Sequence, residues 1–298
     1  LAWHGLSLAL PEDCGPVKIE GDGSKGAVLI ADLKSPRIGL RWTTLGKRAD
    51  PAKFVRGAML AEIGKLATAE AVEHTPGDAF THGLLYVEKD PPGRDVFVGF
   101  SKATRRVVEV VLHVRAVGEV DEKNPKQRRE RELPLHMLSA DLLPTLQDDA
   151  SRTAWSIFDL RFTLPEAGWT LAKQRLNAGD LTMELTRKRH VLIVRQIGPA
   201  RLALKRQEAK QWVTIHGLLW KQMYKSSGEG LGTRDEPKLL ASVKLVRRRR
   251  FFFARWAPPV RYIAMHHDEA RDRLVLIDAD DASLIDKVLP TVGRREAA

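Results

Sequence analysis

Four guanidiniums in a row followed by aromatic side chains, Arg247-Arg248-Arg249-Arg250-Phe251-Phe252-Phe253-Ala254-Arg255-Trp256, form the sharpest chemistry-bearing run in this chain of 298 residues. Guanidiniums hold phosphates and carboxylates through paired N–H donors, and aromatic faces stack on bases or anchor at an anionic membrane surface. The competing structural reading is an exposed turn whose arginines are solvated while Phe251 to Phe253 tuck into the core. A wider basic set accompanies the run: Arg187, Lys188, Arg189, Arg201, Lys205, Arg206 and Lys210. If the fold gathers those turns and that helix start beside Arg247 to Arg250, Arg255 and Trp256, they make one patch.

Other groups carry weaker chemistry. Gly21-Asp22-Gly23-Ser24-Lys25-Gly26 matches the G-x-G-x-x-G string of nucleotide sites, which works only where a strand leads into a helix N-terminus. Here Ala27-Val28-Leu29-Ile30 follows, a strand pattern, so a hairpin turn is expected instead. In His266-His267-Asp268-Glu269 adjacent imidazoles on a strand point to opposite faces and do not share one ion. Asp278-Ala279-Asp280-Asp281 has the carboxylates a hard cation prefers, yet it lies just ahead of the last helix, where aspartates cap free N–H groups. Cys14 and the scattered serines and histidines show no nucleophile signature such as G-x-S-x-G. No catalytic, metal or cofactor site is therefore expected from these residues.

The charge is unevenly placed. Residues 1–150 hold 21 Lys and Arg against 22 Asp and Glu, net −1, while residues 151–298 hold 28 against 16, net +12. The second half alone thus carries a field that attracts acidic partners. A single cysteine excludes an intrachain disulfide, which suits a reducing compartment, and cytoplasm is the simplest expected location. No apolar run approaches the roughly 20 residues of a membrane span, and Leu1-Ala2-Trp3-His4 lacks the pattern of a signal peptide.

What must position these groups is a repeated plan. Gly5-Leu6-Ser7-Leu8-Ala9-Leu10-Pro11-Glu12 recurs 154 positions later as Asp159-Leu160-Arg161-Phe162-Thr163-Leu164-Pro165-Glu166. Leu142-Leu143-Pro144-Thr145-Leu146 is echoed 146 positions later by Val288-Leu289-Pro290-Thr291-Val292. A repeat of this length is a whole domain, so the expectation is two tandem domains, 1–150 and 151–298, meeting near Asp148-Asp149-Ala150-Ser151.

Alternating apolar residues predict strands over 6–10, 27–32 and 38–43 in the first half, matched by 160–164, 181–186 and 191–197 in the second. Gly21 to Ser24 and Arg187 to Arg189 read as meander turns. Asp50-Pro51 supplies an N-cap and a first-turn proline for a helix whose apolar face is Val55, Met59, Ile63 and Leu66; Ala209, Trp212, His216, Leu219 and Met223 repeat that spacing. Strands resume over 84–88, 95–101 and 107–114, and over 239–246, 260–267 and 274–278, and a short helix with the Leu-Pro-Thr echo closes each half. Glu119 to Glu132 and Ser226 to Glu236 read as loops. The expected fold class is α+β, two tandem copies of an antiparallel sheet packed with helices, β-β-β-α-β-β-β-α each.

With its opening Leu-x-Leu-Pro-Glu and a helix followed by strands, each half resembles the Mog1/PsbP-like fold. That resemblance implies a non-enzymatic accessory or binding role and transfers no site residue. The leading functional expectation is a binding protein whose basic second domain docks an acidic protein, because an aromatic content of 6% leaves few stacking platforms for nucleic acid. Nucleic-acid binding is the runner-up, and attachment to an anionic membrane surface through Arg247 to Trp256 comes third. No small-molecule ligand is expected. The alternative from another class is an enzyme with a cleft between the domains lined by His216, His266 or His267.

Overall fold

The computed structural model describes residues 1–11, 14–32, 36–88, 94–113, 140, 142–149, 151, 153–177, 179–205, 208–216, 223–227, 239–248 and 258–293. The predicted loop 119–132, most of the predicted loop 226–236, and Arg206, Leu219, Arg249, Arg250, Phe251 to Phe253, Arg255 and Trp256 lie outside these residues. The chain divides into two compact units, Leu1–Arg152 and Thr153–Ala298.

In the first unit, β1 (Ala2–Trp3), β2 (Leu6–Ser7), β3 (Gly15–Gly21), β4 (Lys25–Ala31) and β5 (Pro36–Thr44) precede α1 (Pro51–Glu70). Then come β6 (Val72–Glu73), β7 (Phe80–Tyr86), β8 (Arg94–Ser101), β9 (Arg106–His113) and β10 (Gln147–Asp148). Seven of these strands form one antiparallel sheet in the order β3-β4-β5-β9-β8-β7-β6. The chain runs a three-strand meander, crosses by way of α1 to the far edge, and returns strand by strand until β9 pairs with β5. The short strands β1, β2 and β10 pair antiparallel among themselves.

The N-terminus of α1 follows from its sequence. The Asp50 carboxylate accepts the backbone N–H groups of Ala52 (3.0 Å) and Lys53 (3.4 Å), and Pro51 has no N–H to leave unpaired. Val55 and Met59, one turn apart, are buried against β8 and β9 together with Val96, Val98, Phe100, Val107 and Val111. The helix is broken at Gly64, whose φ of 80° and ψ of 172° belong to a region almost closed to residues with a Cβ. Four-residue apolar spacing continues through that point in the sequence, so periodicity alone does not reveal the break.

The second unit holds β11 (Ala154–Ile157), β12 (Leu160–Thr163), β13 (Thr170–Asn177), β14 (Asp180–Arg187), β15 (His190–Ile197), α2 (Ala200–Ala203) and α3 (Ala209–His216). It continues with β16 (Tyr224–Ser226), β17 (Leu239–Arg247), β18 (Val260–Asp268), β19 (Arg273–Ala279) and α4 (Ala282–Val288). Its seven-stranded sheet has the order β13-β14-β15-β19-β18-β17-β16, the same path as in the first unit. Trp212 and Val213 of α3 pack on Val243, Leu245, Ile263 and Met265, while α4 lies on β18 and β19. Leu274 to Ala279 are buried throughout, the mark of a strand covered on both faces.

The fold class is thereby corrected. Among the described residues 52% are strand and 20% helical, with antiparallel sheets and four α-helices, so the molecule is mostly β and not the balanced α+β arrangement of two tandem β-β-β-α-β-β-β-α copies. Two physical reasons account for the difference. Edge strands β3 and β13 present mostly exposed side chains, with burial patterns that carry no apolar alternation to read. The closing helix predicted around Leu142 to Leu146 is a single 3-10 turn, Leu143–Thr145, and the second long helix is described only over Ala209–His216.

Candidate functional site: the basic ends of the second sheet and a charged groove on the first

Register places the predicted basic residues. The β14–β15 hairpin turn carries Arg187, Lys188 and Arg189 at the end of the sheet where β19 finishes and β17 finishes, since Leu192 and Tyr262 both face Ala279 and Tyr224 faces Arg247. Arg247 and Arg248 therefore stand at the same end as the hairpin turn. The path from β15 through β19 and β18 to β17 is three strand spacings, about 14 Å. The two clusters thus flank one rim of the sheet.

The side chains on this rim differ in their engagement. Arg187 donates through Nε to the Ala167 carbonyl (3.0 Å) and through Nη1 to Glu166. Arg248 donates through Nε to the Tyr224 carbonyl (3.0 Å), and its backbone N–H is held by Met223 O (2.8 Å). Lys188, in a left-handed turn conformation at φ 52°, and Arg189 are exposed and make no ion pair with the described residues. Behind them His190 and Asp280 meet at 3.3 Å, and Arg261 donates to Asp278 at 2.7 Å with both side chains almost wholly buried.

The remaining predicted residues are elsewhere. Arg201 of α2 pairs with Asp272 (3.2 Å), and Asp272 sits in the β18–β19 turn, at the opposite end of β19 from Ala279. Seven residues of strand separate the two ends, about 20 Å. Exposed Lys205 follows α2, and exposed Lys210 lies in the first turn of α3. The basic residues do not all gather at one place: Arg201 stands at one end of the sheet and Arg187 to Arg189 and Arg247 to Arg248 at the other.

The other motifs take local roles. Gly21 to Gly26 is the β3–β4 hairpin: Asp22 accepts from the Ser24 N–H and hydroxyl (both 2.7 Å) and the Lys25 N–H (3.1 Å), and Gly21 turns at φ 89° with Lys25 O where a Cβ would stand. Asp281 caps α4 by accepting from Ser283 N (2.9 Å), and Asp280 accepts from Val191 N (3.4 Å). Asp268 accepts from Arg271 twice, from its backbone and its guanidinium, while His266 is buried opposite Val275. Among the described residues no three His, Cys, Asp or Glu side chains come together as a metal site. The His216 side chain is outside those described.

One cluster carried no sequence signal. On the α1 face of the first sheet, α1 lies over β7 and β8, and over β3, β4 and β5 runs a groove of about 320 Å³ lined by Lys18, Glu20, Leu29, Arg41, Glu62 and His113, among others. Register sets Arg41 directly opposite Glu109, and the Arg41 Nη2 pairs with Glu109 (3.3 Å) and with Glu62 of α1. Glu62 also faces Arg94 (3.6 Å). Burial raises the Glu109 carboxyl above the usual range, Arg41 opposing and Glu62 adding to the shift. Burial likewise lowers the His113 pKa, helped by Arg94 and opposed by Glu62. Glu62 falls on the polar side of a periodic helix and Arg41 on the polar alternation of a strand, so each alone reads as a solvated charge.

Comparison with protein families, curated proteins and solved structures finds no match for this chain. Among the described residues no helix is long and apolar enough to cross a membrane.

Proposed function

We propose that this chain is a non-enzymatic binding protein whose second unit docks an acidic protein partner on the rim formed by Arg187 to Arg189 and Arg247 to Arg248. The observation that carries the reading is the Lys188–Arg189 turn, exposed and without ion pairs among the described residues, in the half of the chain that holds all the excess positive charge. Such cations keep their full attraction for an incoming carboxylate, whereas Arg201 and Arg187 already spend part of theirs on Asp272 and Glu166. Tyr224 on the same rim is buried and its hydroxyl donates to Pro258 O (2.7 Å), so it offers no face for stacking on a base. An accessory role of this kind is also what the resemblance to the Mog1/PsbP-like family implies. A single free cysteine fits a cytoplasmic setting.

Titration of the full chain with a polyglutamate peptide and with a DNA oligonucleotide, each at two salt concentrations, tests the reading. It predicts that polyglutamate binds at least as tightly as the oligonucleotide. Tight oligonucleotide binding that falls steeply with salt, by about a hundredfold or more between low and moderate salt, transfers the site to nucleic acid.

A further inference from the structure

We propose that the basic rim of the second unit recognises two acidic clusters held about 14 Å apart by an uncharged spacer, in preference to a continuous acidic run. This rests on the proposed docking of an acidic protein at that rim, and it specifies the pattern of charge such a partner carries.

Register sets the two cationic groups level with each other. Leu192, Ala279, Tyr262 and Lys244 stand in one row across β15, β19, β18 and β17. Arg189 lies three residues before Leu192 and Arg247 three residues after Lys244, which is the same direction along the sheet, so both groups leave it at the same height. Lys188 and Arg248, one residue further out, are both exposed. The separation is set by the three strand spacings from β15 to β17, about 14 Å, and the hydrogen-bonded ladder holds it fixed.

What lies between the groups divides them. On the two intervening strands the rim is made by Asp280 and Asp281 after β19 and by Pro258 and Pro259 ahead of β18. Asp281 is half-buried as the cap of α4, and Asp280 accepts from Val191 N and meets His190. Arg261, the cation of β18, is 3% exposed and paired with Asp278, so it is closed to a partner. Among the described residues the middle of the rim therefore presents carboxylate and proline and no exposed cation. A partner carboxylate placed there meets like charge, while one placed at either end meets Lys188 and Arg189 or Arg248. An extended segment covers the distance with about four residues and a helix with about nine.

The test titrates the full chain by ligand-observed NMR with peptides of stiff polyproline backbone and blocked termini, at one salt concentration. EEPPPPEE holds its inner glutamates about 15 Å apart at roughly 3.1 Å per residue, and PPEEEEPP has the same composition and charge with the glutamates contiguous. A third peptide parts the two glutamate pairs by twelve prolines, about 40 Å. EEPPPPEE is expected to bind about tenfold or more tighter than either of the others, since only it engages both groups without laying a carboxylate over Asp281. Lys188→Glu/Arg189→Glu and Arg248→Glu, all at exposed positions, are each expected to reduce that advantage to less than about threefold. Equal affinity of EEPPPPEE and PPEEEEPP, or binding of polyglutamate alone, overturns the spacing and leaves the docking of an acidic partner standing. Failure of these peptides and of polyglutamate to bind overturns both. An advantage that survives in both variants overturns the assignment of its two ends. The peptide comparison is made on the unaltered chain, so it decides the spacing even where a variant does not fold.

Discussion

His4 occupies a left-handed position at φ 51° in the turn between β1 and β2, its ring 5.5 Å from that of Trp3 and 6.2 Å from that of Trp42. Burial, with the Arg106 guanidinium adding to the shift and Asp22 offsetting part of it, lowers its pKa to about 4. The unfolded chain binds this proton near pH 6.5 and the folded chain only near 4, so the neutral ring contributes stability that is complete above 6.5 and is lost as pH falls through that window. The loss amounts to about 3 kcal/mol at its limit. Denaturant unfolding from pH 7 to 4 is expected to show it, and His4→Asn, which tolerates the same backbone conformation, is expected to remove that share of the pH dependence. A second residue-scale prediction concerns Arg261 and Asp278, 3% and 6% exposed. Asp278→Ala leaves a buried guanidinium unpaired and is expected to cost about 3–5 kcal/mol, whereas replacing both with apolar residues of similar volume is expected to cost far less. Denaturant midpoints of the single and double variants distinguish the two outcomes. Neither His4 nor this pair was legible in the sequence, because burial of a charge is decided by which strands lie across it.

At the scale of elements, the two sequence echoes meet each other. Ala9 N donates to the Thr145 hydroxyl (3.0 Å) in the first unit, and Thr163 N donates to the Thr291 hydroxyl (2.9 Å) in the second. Each hydroxyl also donates back to its own turn, Thr145 to Leu142 O (2.8 Å) and Thr291 to Val288 O (2.6 Å). The strand end before Pro11 or Pro165 and the Leu-Pro-Thr turn are therefore one clasp in each unit. Water can replace the bond at exposed Ala9 but less easily at Thr163, so Thr291→Val is expected to cost about 1–2 kcal/mol and Thr145→Val less, as measured by thermal unfolding. Here the sequence was informative: capping Asp50-Pro51, the buried Val55 and Met59, and the alternating strands β4, β5 and β14 all lie where their patterns indicate. What it concealed were the edge strands β3 and β13, since an exposed strand needs no apolar side chains, and the Gly64 break, since a glycine inside a helical pattern gives no sign of which conformation it takes.

For the whole molecule, net charge was readable by counting, but its arrangement was not. Arg201 and the Arg187 to Arg189 turn are separated by the length of β19, a distance set by topology, and sequence proximity to other basic residues carries no information about it. Arg41, Glu62 and Glu109 show the converse: residues 21 and 47 positions apart from one another meet because β5 pairs with β9 beneath α1. The same reasoning predicts that charge at the two ends of the second sheet is not equivalent for binding. The central claim is tested most directly by the affinity of polyglutamate for the full chain, for Lys188→Glu/Arg189→Glu, and for Lys205→Glu near the opposite end. The rim variant is expected to lose about tenfold or more while Lys205→Glu changes affinity by less than about threefold. Equal losses from both variants would mean that binding follows overall charge alone, and no loss from the rim variant would place the docking surface elsewhere.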